Sequence, residues 1–143
     1  MRIRKGTLVK TTMGKIGEVV ESESWVIKDE NGIIVSDAYP NKNVCDIYRM
    51  EINSKYTTSK LPCLVKLGKN VFPIFSNNLE YLKVIFFKFK DYYGNEVVLR
   101  QNQSSGLILK KFLEKANIKF FMYSDESEIN SVEGNNVDDK IND

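Results

Sequence analysis

The sequence predicts an α+β domain, mostly antiparallel β, in which a small curved sheet is covered by one C-terminal helix. Three observations predict it. Short β-branched and aromatic runs recur through the first hundred residues, punctuated by glycine, proline and asparagine. Apolar residues make up 42% of the 143, which suits a single core. One late stretch, Ser105–Ala116, carries apolar residues at helical spacing.

The chain opens with two short strands, Gly6–Thr11 and Lys15–Glu21, turning at Met13-Gly14. Ser24–Asp29 and Ile33–Ser36 flank Glu30-Asn31-Gly32. Asn-Gly between apolar runs signals a hairpin, because a type I′ turn needs φ > 0 at both central residues. Residues 37–60 are the least regular, with a loop at Ala38–Asn43, a short strand at Val44–Tyr48 and a polar loop at Thr57–Lys60. Leu61–Leu67 resumes the sheet, and Pro62 marks a strand start or an edge. Gly68-Lys69-Asn70 turns the chain into Val71–Phe75.

Leu79–Lys90 reads as a central strand, with Phe87 and Phe89 on one face and Lys88 and Lys90 on the other. A four-residue loop at Tyr92–Asn95 leads into Glu96–Arg100 and sets Phe89 opposite Val98 and Lys90 opposite Val97. A register one residue different inverts which side chains are solvated. In the helix, Ser104 or Ser105 caps the first turn. Leu109, Phe112, Leu113 and Ala116 form its apolar stripe, and Lys110, Lys111, Glu114 and Lys115 fall outside it. Ile118–Tyr123 reads as a final strand. A small barrel of the pleckstrin-homology type (PH-like) fits this order, as do other strand-rich α+β arrangements.

The net charge of +2 hides a split: +8 over residues 1–124 and −6 over residues 125–143. Residues 1–124 are therefore read as one β-rich domain and 125–143 as a disordered acidic tail, too poor in apolar side chains to offset the cost of ordering. Such a tail serves solubility, or competes with a polyanion for the basic body in a salt-dependent way.

Composition argues against most hydrolytic and metal chemistry. Histidine is absent, which removes the commonest general base and the commonest zinc ligand. Cys45 and Cys63 could form one disulfide, though a cytosolic setting favours two reduced thiols; Cys63, among apolar neighbours, reads as an inert buried thiol rather than a nucleophile. The carboxylate pairs Glu21/Glu23 and Asp29/Glu30 lie in or near turns and read as solvated surface. Gly14 and Gly17 form G-x-x-G without the Gly-Lys-Ser/Thr of a phosphate-binding loop, and two backbone turns explain them. No catalytic residue, metal or cofactor is expected. No apolar run approaches the about 20 residues of a membrane span, and Met1–Lys5 has no apolar segment behind it. A cytoplasmic protein is expected.

Polyanion binding has more support. Lysines interleave with aromatics from Lys83 to Tyr93, and Lys66, Lys69 and Lys110-Lys111 stand on neighbouring segments. Lysines on one face would neutralise phosphates and release counterions. The plainer reading is that they keep an aromatic sheet soluble, and the pattern alone favours it.

Several segments, in order, resemble the ComK-type competence transcription factor family. They are Ile3–Val9, Val44-Cys45 with Tyr48, Ser59–Pro62, Phe72–Ser76, and Phe87–Phe89 with Gly94–Leu99, followed by the helix. The family's Gly-Ser-Ser run is replaced by Arg49–Asn53, and its Trp-Ile segment is absent, the one tryptophan being Trp25. The resemblance implies a DNA-binding transcriptional activator acting on A·T-rich double-stranded DNA. Lys60, Lys66, Lys69, Lys88, Lys90 and Lys110 are then the candidate DNA contacts. The alternative is a non-enzymatic protein-interaction module on a PH-like barrel, perhaps phage-derived, whose aromatic strand or helix face docks a regulatory protein partner.

Overall fold

The computed structural model describes residues 3–129. In chain order it contains β1 (Leu8–Thr11), β2 (Ile16–Glu21), β3 (Ser24–Lys28), α1 (Lys42–Ile52), β4 (Thr57–Leu61), β5 (Cys63–Leu67) and β6 (Asn70–Ile74). There follow β7 (Leu79–Tyr81), β8 (Ile85–Lys90), β9 (Glu96–Gln101), α2 (Gln103–Lys115) and β10 (Phe120–Tyr123). The strands form a five-stranded sheet ordered β6-β5-β2-β1-β7, a three-stranded sheet ordered β10-β8-β9, and the pair β3-β4. All these pairings are antiparallel. The α+β class and the C-terminal helix are as expected. Among the described residues no closed barrel forms, and there are two α-helices rather than one.

Three hairpin loops share one turn chemistry. In Thr11–Lys15, Asp29–Ile33 and Asp91–Asn95 the first residue's N–H donates to the fifth residue's carbonyl, at 2.8, 2.9 and 2.9 Å. The first side chain accepts from the fifth N–H, at 3.2, 2.9 and 2.8 Å. The fourth residue is a glycine in the left-handed region, with φ of 84°, 80° and 82°. The Asn31-Gly32 turn is thus not the expected type I′, since only Gly32 takes positive φ. Beyond it, Ile33–Ser36 makes no full strand; it bridges β3 at Lys28–Ile34.

The ladder partner of β3 is instead β4, the segment read as a polar loop. Thr57 and Thr58 are β-branched, and a strand with a solvated face needs no apolar run. Val44–Tyr48, read as a strand, lies inside α1. The Asn41 side chain caps that helix by accepting from the N–H groups of Asn43 and Val44 at 2.8 and 3.2 Å.

β2-β3 and β4-β5 make one long ribbon. Glu18 faces Lys66 and Val19 faces Val65; after a bulge, Glu21 faces Leu64, and the same alignment continues to Lys28 facing Thr57. Pro62 sits at the break between β4 and β5, where the ladder tolerates a residue without an N–H. α1 packs on the outer half, against β3 and β4.

The five-stranded sheet is curved by its connections. β6 and β7 are its two edges, about 19 Å apart if the sheet were flat. Only Phe75–Asn78 joins them, and five residue steps reach about 17 Å at full extension, while three of those residues form a 3-10 turn. The edges therefore curl together, and Val9, Val19, Cys63, Val65 and Leu79 form one buried cluster on the inner face. On the outer face, Leu8 and Ile16 pack with Ile85, Phe87, Leu113, Phe120 and Met122 of the three-stranded sheet and α2.

Leu79–Lys90 is not one strand: it breaks at residues 82–84 and moves from one sheet to the other. β8 is central in the smaller sheet, and Phe87 is buried as expected. The β8-β9 loop has five residues, not four, so Phe89 faces Val97 and Lys90 faces Glu96.

The α2 stripe is also shifted. Gly106, Lys110 and Leu113 are buried, while Phe112 is 61% exposed. Gly106 lets the helix lie close to Leu8 and Phe87. The aliphatic stem of Lys110 serves as core, which a reading by polarity misses. The N-cap is Asn102, in a capping box with Ser105. Residues 125–129, assigned to the disordered tail, are described: Asp125–Ile129 turns back on the domain, Ile129 is buried, and Glu128 lies 3.7 Å from Lys10. Residues 130–143, and the disorder expected of them, lie outside the described residues. No helix among the described residues is long and apolar enough to cross a membrane.

Candidate functional site

The six candidate lysines do not gather on one face. Lys110 is 2% exposed, with its ammonium 2.9 Å from Glu114 and 3.7 Å from Glu18, so it is withdrawn as a phosphate contact. Lys60 lies 3.4 Å from Glu23 and over the Phe75 ring. Lys88 pairs with Glu96 at 3.5 Å. Lys90 is exposed across from Glu96. Lys66 is exposed and stands beside Glu18 in the β2-β5 ladder.

Lys69 is placed differently, together with a residue that sequence reading passed over. β2 and β5 are antiparallel neighbours, so the start of β2 and the end of β5 lie at the same end of the sheet. That brings together two hairpin tips, each carrying a Gly-Lys dipeptide: Gly14-Lys15 and Gly68-Lys69. The signal was present in the sequence as that repeated dipeptide. Only the strand order makes the two copies neighbours.

Between the tips opens a cleft of about 820 Å³. Its floor is apolar, from Leu67, Phe72, Pro73 and Ile74, with Met13 at the rim. Phe72 is 43% exposed on the edge strand β6. Asn70 and Asn78 line it too, and their side-chain amides hydrogen-bond to no described residue. Among the described residues no carboxylate lines the cleft, and neither Lys15 nor Lys69 makes an ion pair. A Cβ on Gly17 would stand 2.5 Å from the Lys66 carbonyl oxygen and against the Leu67 side chain, so Gly17 marks a close backbone approach within β2 rather than a turn.

The other singled-out groups are structural. Glu23 accepts from the Ser76 N–H at 2.7 Å as well as pairing with Lys60, pinning the Phe75–Asn78 link to the ribbon. Burial pushes both the Cys45 and Cys63 thiols up, and both are free and buried. Asp46 accepts a short hydrogen bond from the Thr58 hydroxyl and another from Lys42, and these hold its carboxyl below the ordinary value.

Apolar groups also remain exposed on both helices, notably Ile47 and Met50 on α1 and Ile108 and Phe112 on α2. Compared with family models, curated proteins and solved structures, the chain matches none.

Proposed function

We propose that the protein is a non-enzymatic, DNA-binding regulator that holds phosphates at its two Gly-Lys tips. The observation that supports this reading is that Lys15 and Lys69 line one cleft that no carboxylate among the described residues lines. Lys60, Lys88 and Lys110 are matched by glutamates, whereas at this cleft a polyanion would meet two lysines with no competing acid among the described residues. Activation of transcription at A·T-rich sites rests on the segments that resemble the competence family.

Fluorescence anisotropy of labelled DNA across a salt series tests it. The doubly substituted Lys15→Gln, Lys69→Gln protein is expected to bind more weakly and to lose about two units of salt slope. Absence of binding by the unaltered protein at low salt would refute the reading.

A protein-interaction module is the second reading. It draws on the exposed Ile108 and Phe112, one turn apart on the outer side of α2. Retention of a protein partner by the unaltered chain after nuclease treatment, lost on Ile108→Ser, would favour it.

A further inference from the structure

We infer that the cleft between the Gly-Lys tips takes an unpaired nucleic-acid strand rather than a duplex. This rests on the DNA-binding reading above and narrows its ligand. A duplex presents phosphates on a convex cylinder and hides its base faces by stacking. It would meet the two lysines but leave the floor of the cleft unused. An unpaired strand offers both chemistries at once, phosphates along one side and flat apolar base faces along the other.

The site has a counterpart for each. Lys15 and Lys69 stand at its rim for phosphates. The Phe72 ring, 43% exposed among Leu67, Pro73 and Ile74, is a platform on which a base stacks. Asn70 and Asn78 bring side-chain amides that hydrogen-bond to no described residue, able to donate to and accept from base edges. A cleft of about 820 Å³ between two hairpin tips is concave enough to seat a strand, whereas a duplex could touch only its lips. No carboxylate among the described residues lines it to repel the backbone as it enters.

The test compares labelled oligothymidylate and oligouridylate with a blunt DNA hairpin of the same nucleotide count, by anisotropy at roughly 50 mM salt. At least one single strand is expected to bind about tenfold more tightly than the hairpin, and Phe72→Leu is expected to remove about that factor for the single strand alone. Phe72→Trp keeps a flat ring and is expected to restore affinity. Its fluorescence should be quenched by the strand and not by inorganic phosphate. Equal or tighter binding of the hairpin overturns this inference and leaves the DNA-binding reading standing, as does an unchanged affinity in Phe72→Leu. Failure of every probe to bind overturns both.

Discussion

The side chain of Gln103 hydrogen-bonds to Leu8 as a neighbouring strand would: its amide oxygen accepts from the Leu8 N–H at 2.8 Å and its amide nitrogen donates to the Leu8 carbonyl at 2.6 Å. The same nitrogen donates to the Leu82 carbonyl at 2.6 Å. The first residue of α2 thereby ties β1 to the crossover between the two sheets. Gln103→Ala leaves backbone groups unpaired in the interior and is expected to cost about 2 kcal/mol in urea unfolding. Gln103→Glu can no longer donate to either carbonyl, and should melt at least as low as the alanine variant at neutral pH.

Lys110 extends the same helix into a charged cluster. Its ammonium lies between Glu114 and Glu18, and Lys111 also reaches Glu18 at 3.6 Å. Removing one member of a buried pair leaves the other charge without compensation, so Lys110→Ala should lose about 3 kcal/mol. Lys110→Met keeps the packed stem and should lose less. Neither variant, where folded, should change the salt slope of DNA binding, since this lysine does not face solvent.

Gly17 fixes how closely β2 and β5 approach beneath the cleft. Gly17→Ala places a methyl against the Lys66 carbonyl and Leu67. Overpacking of this kind should lower stability by about 1–3 kcal/mol, measured by thermal or urea unfolding.

Asp46 predicts a modest acid sensitivity. Hydrogen bonds from Thr58 and Lys42 lower its carboxyl in the folded chain. A depressed folded value means stability that is present above the unfolded value and lost as pH falls through the folded one. The loss should begin below about pH 4. Melting temperature measured from neutral pH downward should fall less steeply in Asp46→Asn than in the unaltered protein.

Much of the architecture was legible in the residues, and the misreadings have physical causes. Strands with a buried face, such as those holding Val9, Val19 and Phe87, announced themselves through β-branched and aromatic side chains. β4 did not, because Thr57 is exposed and the Thr58 hydroxyl bonds to Asp46. α1 did not, because it buries only Cys45 while Ile47, Met50 and Ile52 stay exposed. α2 was placed along the chain but rotated, since Lys110 counts as polar by name while its stem packs as a hydrocarbon. For the site, charge was legible and convergence was not. Lys69 was marked from the sequence, but Lys15 joins it only because β2 and β5 are neighbours in space.

The break at Pro62 leaves the molecule unequally anchored. Beyond it, the outer half of the ribbon and α1 have Val26, Ile27 and Cys45 as their fully covered side chains, and none of the three joins the two main clusters. Such a lobe can open by itself while the rest stays shut. Backbone amides of β3 and α1 would then exchange with solvent deuterium ahead of those in β8, and gentle heating would loosen this corner before the protein loses its cooperativity.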